Sequence, residues 1–355
     1  MSRRIPTRTR ALLAGLALTT SLLAACGSSA SDDAPAAAKA AAGTEGSTTY
    51  PLTIADNCGM DVTIDKAPER VVSVNQGSTE ILLSLGLEDK MVGTSTWTDA
   101  IRPSLKQANA KVPRLADGPV SYERILQEEP DLVTASFGGS LNDEDPDRRD
   151  QYAELGVPTY VAPSHCDGRT DESGDGPRDH PLEMDVIYQE ITQLAEIFDV
   201  PSRGAALVAE LKDRMTKAAA TAPTTDVSIA YWFANTELPY MAGANGSPGV
   251  MSRTIGVKNV FDDTDVEWPQ ISWESVLDRD PDVIALGDLR RKSESGDLLE
   301  DKIAFLESNP VTKRLTAVRK KRYIVLNGAD MNPSIRTVDG TEKLAAGLVE
   351  LGLTH

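Results

Sequence analysis

Tyr122-Glu123-Arg124-Ile125-Leu126-Gln127-Glu128-Glu129-Pro130-Asp131-Leu132-Val133 returns, without a gap, as Trp273-Glu274-Ser275-Val276-Leu277-Asp278-Arg279-Asp280-Pro281-Asp282-Val283-Ile284. Glu, Leu, Pro and Asp coincide, and most other pairs are conservative. Each copy follows a serine, Ser121 or Ser272, suited to cap a helix. In each, Pro-Asp ends the helical stretch and an apolar run suited to a buried strand begins. Leu85-Gly86-Leu87 and Ile255-Gly256-Val257 are a weaker second match at a slightly different offset. The repeat predicts two units of one architecture.

Around the repeat, strands alternate with helices. Apolar runs suited to strands occur at Arg70–Val74, Met91–Thr94, Asp131–Ala135, Thr159–Ala162, Val227–Trp232, Val283–Leu286 and Tyr323–Leu326. Ser78 reads as the N-cap of a helix Thr79–Leu85 that stops at Gly86. Ser202–Ala222 is strong helix-forming sequence with one apolar stripe through Ala205, Leu207, Val208, Leu211, Met215, Ala218 and Ala219. Alternating strands and helices predict an α/β protein with largely parallel sheets. The expected architecture is two Rossmann-like lobes, 50–200 and 223–355, joined by a single long helix over 201–222.

The chain has 355 residues, with Lys+Arg 36 against Asp+Glu 54 and a net charge of −18. That argues against nucleic acid, whose binding needs clustered cations, and against an electrostatic hold on anionic lipid. The N-terminus is the exception. Residues 2–10 carry four arginines and no acid, and residues 11–23 are mostly apolar but too short to span a bilayer. Leu23-Ala24-Ala25-Cys26 then resembles a bacterial lipobox, in which residues 1–25 are removed as a signal peptide and Cys26 receives lipid. Residues 26–49, rich in Ser, Ala, Gly and Thr, read as a disordered tether. The body is therefore expected on the extracytoplasmic face of the membrane, held by lipid. There a remaining cysteine pair is more often a disulfide than a metal site, so Cys58 and Cys166 are expected to be bridged.

Six motifs in order resemble the substrate-binding lipoproteins of ABC importers for iron–siderophore, haem and cobalamin-type ligands. They are Ala67-Pro68-Glu69-Arg70-Val71-Val72, Ser78-Thr79-Glu80, Leu85-Gly86-Leu87, Glu128-Glu129-Pro130-Asp131-Leu132-Val133, Trp268-Pro269-Gln270-Ile271-Ser272-Trp273-Glu274 and Arg279-Asp280-Pro281-Asp282-Val283-Ile284. The resemblance covers about residues 50–353, and the wording around Asn57-Cys58-Gly59 looks like actinobacterial members. It implies modest closure of two lobes on a ligand, and an acidic residue near each lobe tip that meets arginines of a permease. By motif position these are Glu123 and Glu274. Each also sits in a first helical turn, where negative charge favours the helix dipole.

Ligands of open α/β sheets bind beyond the carboxyl ends of strands. The segments there offer Asn75, Trp97, Phe137, Trp232, Tyr240 and Trp268 as ligand contacts, and Arg290 and Arg336 as contacts to acidic groups of a ferric complex. With only 5% aromatics, four tryptophans in or beside such segments favour a flat or greasy ligand. Residues 165–180 tempt a metal reading, but Asp171-x-Ser173-x-Asp175-Gly176 lacks the twelfth-position Glu of a calcium loop. A solvated acidic loop is expected, with no resident metal or cofactor. No Gly-x-Ser-x-Gly, Ser-x-x-Lys or His-Glu-x-x-His motif supports a secreted hydrolase, so no catalytic residue is named. A turn explains Gly243-Ala244-Asn245-Gly246 as well as a phosphate cradle does. The expected protein is a monomeric solute-binding lipoprotein that serves a permease and its ATPase. Its cargo is a metal chelate, with ferric siderophore ahead of cobalamin or another corrinoid, haem and a deazaflavin precursor. A sensor or adhesion lipoprotein of the same fold is the remaining class.

Overall fold

The computed structural model describes residues 45–142, 148–170, 176–221, 226–290 and 296–354. The expected signal peptide, Cys26, most of the tether, Asp171, Ser173 and Asp175 lie outside the described residues.

A short antiparallel hairpin, β1 (Leu52–Ile54) with β2 (Val62–Ile64), precedes the first sheet. That sheet has order β4-β3-β5-β6, with β3 Val71–Val74, β4 Met91–Ser95, β5 Leu132–Ala135 and β6 Thr159–Val161, all parallel. The second sheet has order β11-β10-β7-β8, with β7 Ser228–Ala234, β8 Tyr240–Met241, β10 Val283–Asp288 and β11 Tyr323–Asn327; β9 (Lys258–Asn259) also pairs β7. Only β8 runs antiparallel in it. The protein is thus α/β with mainly parallel sheets, as its alternating pattern requires.

Both sheets are buried on both faces except at the edge, where Val325 of β11 is exposed, and so their strands read as continuous apolar runs. Val71, Leu132 and Tyr160 fill one side of the first sheet; Val72, Val133 and Val161 fill the other. Ile229, Val283 and Ile324 face one side of the second sheet, and Ala230, Ile284 and Leu286 the other.

The repeat is structural. Ser121 Oγ accepts from Arg124 N at 3.3 Å and Ser272 Oγ accepts from Ser275 N at 3.2 Å, opening the helices Tyr122–Leu126 and Trp273–Arg279. Glu129 and Asp280, each just before the proline, take positive φ (47° and 38°). The aspartates after the prolines clasp the neighbouring strand. Asp131 accepts from Glu69 N and Arg70 N, both at 2.8 Å, at the start of β3. Asp282 accepts from Ser228 N (3.1 Å) and Ser228 Oγ (2.9 Å) at the start of β7.

The long helix Pro201–Thr221 buries Gly204, Leu207, Leu211, Met215 and Ala218. Leu207, Leu211 and Met215 join the first lobe's core, and Ala218 joins the second lobe's. A Cβ at Gly204 would lie 2.4 Å from Ala195 Cβ, so glycine lets this helix press against the helix Met184–Ile197. Ser78 does not cap its helix. The helix begins at Gln76, and Ser78 lies inside it, with its N–H on Ser136 Oγ (2.8 Å) and its hydroxyl on Thr134 (2.7 Å).

Candidate functional site: a cleft between two sheets

The order of the first sheet reverses at β3, with β4 on one side and β5 on the other. Ligand crevices of open parallel sheets form at such a switch point. Here the chain leaves β3 through Asn75 at φ 79° and ψ 143°, outside the left-handed helical region that asparagine commonly visits. Its amide holds the loop after β5: Oδ1 accepts from Ser136 N (3.1 Å) and Phe137 N (3.2 Å), and Nδ2 donates to Ser140 Oγ (2.9 Å).

A cavity of about 400 Å³ opens over these strand ends, within the range of small-molecule sites. Asn75, Gln76, Thr98, Ser136, Phe137, Ser140 and His165 line it from the first lobe. Phe233, Ala329, Asn332, Pro333 and Ser334 line it from the second. Among the described lining residues none is an acid, a lysine or an arginine. Burial, reinforced by Arg169, Arg178 and Arg149, pushes His165 down to about 4, so its imidazole is neutral near pH 7. A Cβ at Gly77 would lie 2.8 Å from Ser136 Oγ and 3.2 Å from Ser334 Cβ; glycine lets the two walls meet there. A second groove, of about 380 Å³, lies beside the β1–β2 hairpin, away from these strand ends.

The floor is a chain of polar contacts between the lobes. Gln76 Oε1 accepts from Asp99 N (2.9 Å) and Thr98 N (3.2 Å), and Gln76 Nε2 donates to Glu80 Oε1 (3.1 Å). Glu80, 0% exposed, takes Arg336 Nε at 2.7 Å and its NH2 group, a bidentate ion pair from one lobe to the other. Asp99 Oδ2 accepts from Ala329 N (2.6 Å), and burial raises its carboxyl to about 6 against that hydrogen bond and the Arg336 charge.

Of the eight ligand candidates, Asn75 and Phe137 line the cavity. The others do not, each for a visible reason. Arg336 is spent on Glu80. Arg290 is exposed and holds Asp288 through Nε at 2.7 Å. Trp232 is fully buried; its Nε1 donates to Ala234 O (3.0 Å) and Asn235 O (2.8 Å), and Trp273 packs edge-on at 4.8 Å. Trp268 is buried behind Phe233, ring centroids 4.8 Å apart. Tyr240 packs on the second lobe's core, its backbone bridged to Gln270. Trp97 lies under the Arg114 guanidinium, 4.2 Å away, while its neighbours Thr96 and Thr98 reach the cavity. Segments that follow strands in both sheets line the cavity. The aromatic faces presented there are Phe137 and Phe233, because the larger indoles fill the layers beneath.

Glu123 and Glu274 are both exposed, at the second position of helices capped by serine. Neither carboxylate has an ion-pair partner among the described residues. Cys58 and Cys166 are joined by a disulfide, with Cα atoms 5.4 Å apart. Among the described residues no group of His, Cys, Asp and Glu is arranged to hold a metal ion, and no helix is long and apolar enough to cross a membrane.

Comparison with known proteins agrees with this geometry. Residues 71–329 match the family model described as periplasmic binding protein. A vitamin B12-binding protein of Vibrio parahaemolyticus is 28% identical over 218 residues, which is 61% of this chain and 70% of that protein. An ABC transporter substrate-binding lipoprotein of Bacillus subtilis, described as uncharacterized, is 25% identical over 94% of this chain and 95% of its own. The crystal structure described as an ABC-type Fe3+-hydroxamate transport system from Saccharomonospora viridis superimposes with a TM-score of 0.66 at 26% identity, covering 84% of this chain and 99% of that one.

Proposed function

The chain belongs to the periplasmic binding protein family, and from that premise we propose that it is the solute receptor of an ABC importer whose cargo is a metal chelate, a ferric siderophore first. The observation that carries this reading is the cleft itself: the carboxyl ends of two parallel sheets converge on one cavity of about 400 Å³. Its lining offers hydroxyl and amide groups, a neutral imidazole and two phenylalanines, with no charged side chain among the described residues. Such a lining suits an electrically neutral complex with apolar spacers, because a charged ligand desolvated there meets no opposite charge. Ferric hydroxamates fit that description better than anionic catecholates. The 26% identical hydroxamate-system structure favours the same class.

A corrinoid is the second reading, favoured by the 28% identity to a vitamin B12-binding protein. Cargo bridges both lobes, and the loaded form presents Glu123 and Glu274 to arginines of the permease. The signal-like N-terminus and the likeness to a substrate-binding lipoprotein support removal of residues 1–25, lipidation of Cys26 and display outside the cytoplasmic membrane. The wording around Asn57-Cys58-Gly59 supports an actinobacterial type. Lobes at 50–200 and 223–355 with a connecting helix over 201–222 complete the proposal.

Replacing Phe137 and Phe233 by alanine tests the site. Each variant is expected to weaken chelate binding about tenfold or more, equivalent to about 1.4 kcal/mol, while far-UV circular dichroism stays unchanged. Binding unaffected by both would place the cargo elsewhere.

A further inference from the structure

The segment 163–183 links β6 to the helix Met184–Ile197, both parts of the first lobe, yet its residues 176–182 bond to the second lobe. Arg178 N donates to Asp265 O (3.0 Å), Glu267 N to Gly176 O (3.2 Å), and Leu182 N to Asn245 O (2.9 Å). Asn245 Nδ2 returns a bond to Arg178 O at 2.9 Å, and Pro177 bridges Val266.

At the centre is Glu267. Its side chain is 1% exposed and it receives both Arg169 (2.5 Å) and Arg178 (3.2 Å), themselves 4% and 0% exposed. The same two guanidinium groups grip the backbone around the cleft wall. Arg169 Nε donates to His165 O at 3.0 Å, and Arg178 donates to Ser164 O at 2.7 Å and to Asp167 O. Cys166, the next residue, is tied to Cys58. The loop bearing Cys58 is itself fixed to the edge of β6, where Asn57 Nδ2 donates to Val161 O (2.7 Å) and Val161 N donates to Asn57 Oδ1 (2.8 Å).

We propose that Glu267, Arg169 and Arg178 are positioning residues for cargo binding: they pin the two lobes together beside the cleft and set the His165 wall through its backbone, with the Cys58–Cys166 bridge anchoring the foot of the pin. The role in binding rests on the cleft being the cargo site; the role in pinning does not. Removing the Glu267 charge leaves two buried cations without a shared partner, an arrangement that buried ion pairs do not tolerate. The contact then opens on this side, while the Glu80–Arg336 pair still holds the floor.

Spin labels at the exposed positions Glu154 and Lys320, placed through Glu154→Cys and Lys320→Cys, report the distance between lobes without any ligand. Glu267→Gln and the double change Cys58→Ser with Cys166→Ser are each expected to broaden or shift that distance distribution, at a temperature where circular dichroism shows them folded. Each is also expected to weaken, about tenfold or more, the binding of whichever probe the unmodified protein binds, ferrichrome or cyanocobalamin. If Glu267→Gln does not fold, Arg169→Met, which leaves Glu267 with Arg178, carries the same expectation. An unchanged distance distribution overturns the proposal, as does a changed one with unchanged affinity. If the unmodified protein binds neither probe, the cargo reading fails separately and the distance measurement alone decides the pin.

Discussion

Glu190 sits in the helix Met184–Ile197, wholly buried, with Oε1 unpartnered. Burial raises its carboxyl from 4.5 to about 8. Between those values the unfolded chain releases a proton that the folded chain keeps, so this residue makes the protein less stable as pH rises from about 4.5 to about 8. Glu190→Gln removes the penalty. The variant is expected to gain on the parent across that window, by at most about 1.4 kcal/mol per pH unit, when urea unfolding of both is compared at pH 5 and pH 8. Equal pH slopes would show that Glu190 is ionised or solvated. A buried lone acid of this kind has no local signature in the sequence. The indoles teach the same lesson: Trp232 and Trp268 sit at strand ends like ligand contacts, and only packing reveals that they support Phe233 and the strand layer beneath it. Arg336 looked like a free cation because its partner, Glu80, is 256 residues away.

At the scale of elements, the repeated Pro-Asp has a function beyond ending a helix. Asp131 and Asp282 each tie the start of the adjacent strand, β3 or β7, to their own strand, β5 or β10. Asp131→Ala and Asp282→Ala are each expected to cost about 1.5–3 kcal/mol, the range for hydrogen bonds to a charged group. Because the two sites lie in different sheets, the double variant is expected to lose about the sum. Thermal and urea unfolding check both; a cost for one aspartate alone would deny the equivalence of the two units. Strands, caps and this repeat were legible because they depend on neighbours within a few residues. The helix after β3 was misread at its start for the converse reason: Ser78 bonds Thr134 and Ser136, which no local pattern predicts.

At the scale of the whole molecule, the fold class was readable, and the position of the cleft followed from strand ends. The links between lobes were not. Besides the long helix, Glu80–Arg336, Asp99–Ala329, Arg102–Asp339 and Glu267 with its two arginines cross from one lobe to the other. Under the proposed receptor role, docking on a permease is expected to depend on the exposed acids of the two capped helices. Changing Glu123 and Glu274 together to arginine is expected to abolish uptake in cells while leaving chelate affinity within about twofold. Uptake that survives the double change would remove these residues from docking and favour a sensor or adhesion role. The most direct test of the central claim is a calorimetric titration of the purified body, residues 45–355, with ferrichrome, a neutral ferric hydroxamate, its iron-free form and cyanocobalamin. Saturable binding of the ferric complex near one to one, weakened about tenfold or more in Phe233→Ala and absent with the iron-free chelator, is the expected result. Binding of cyanocobalamin alone would contradict the siderophore assignment, and no heat from any of the three with folded protein would contradict the metal-chelate reading itself.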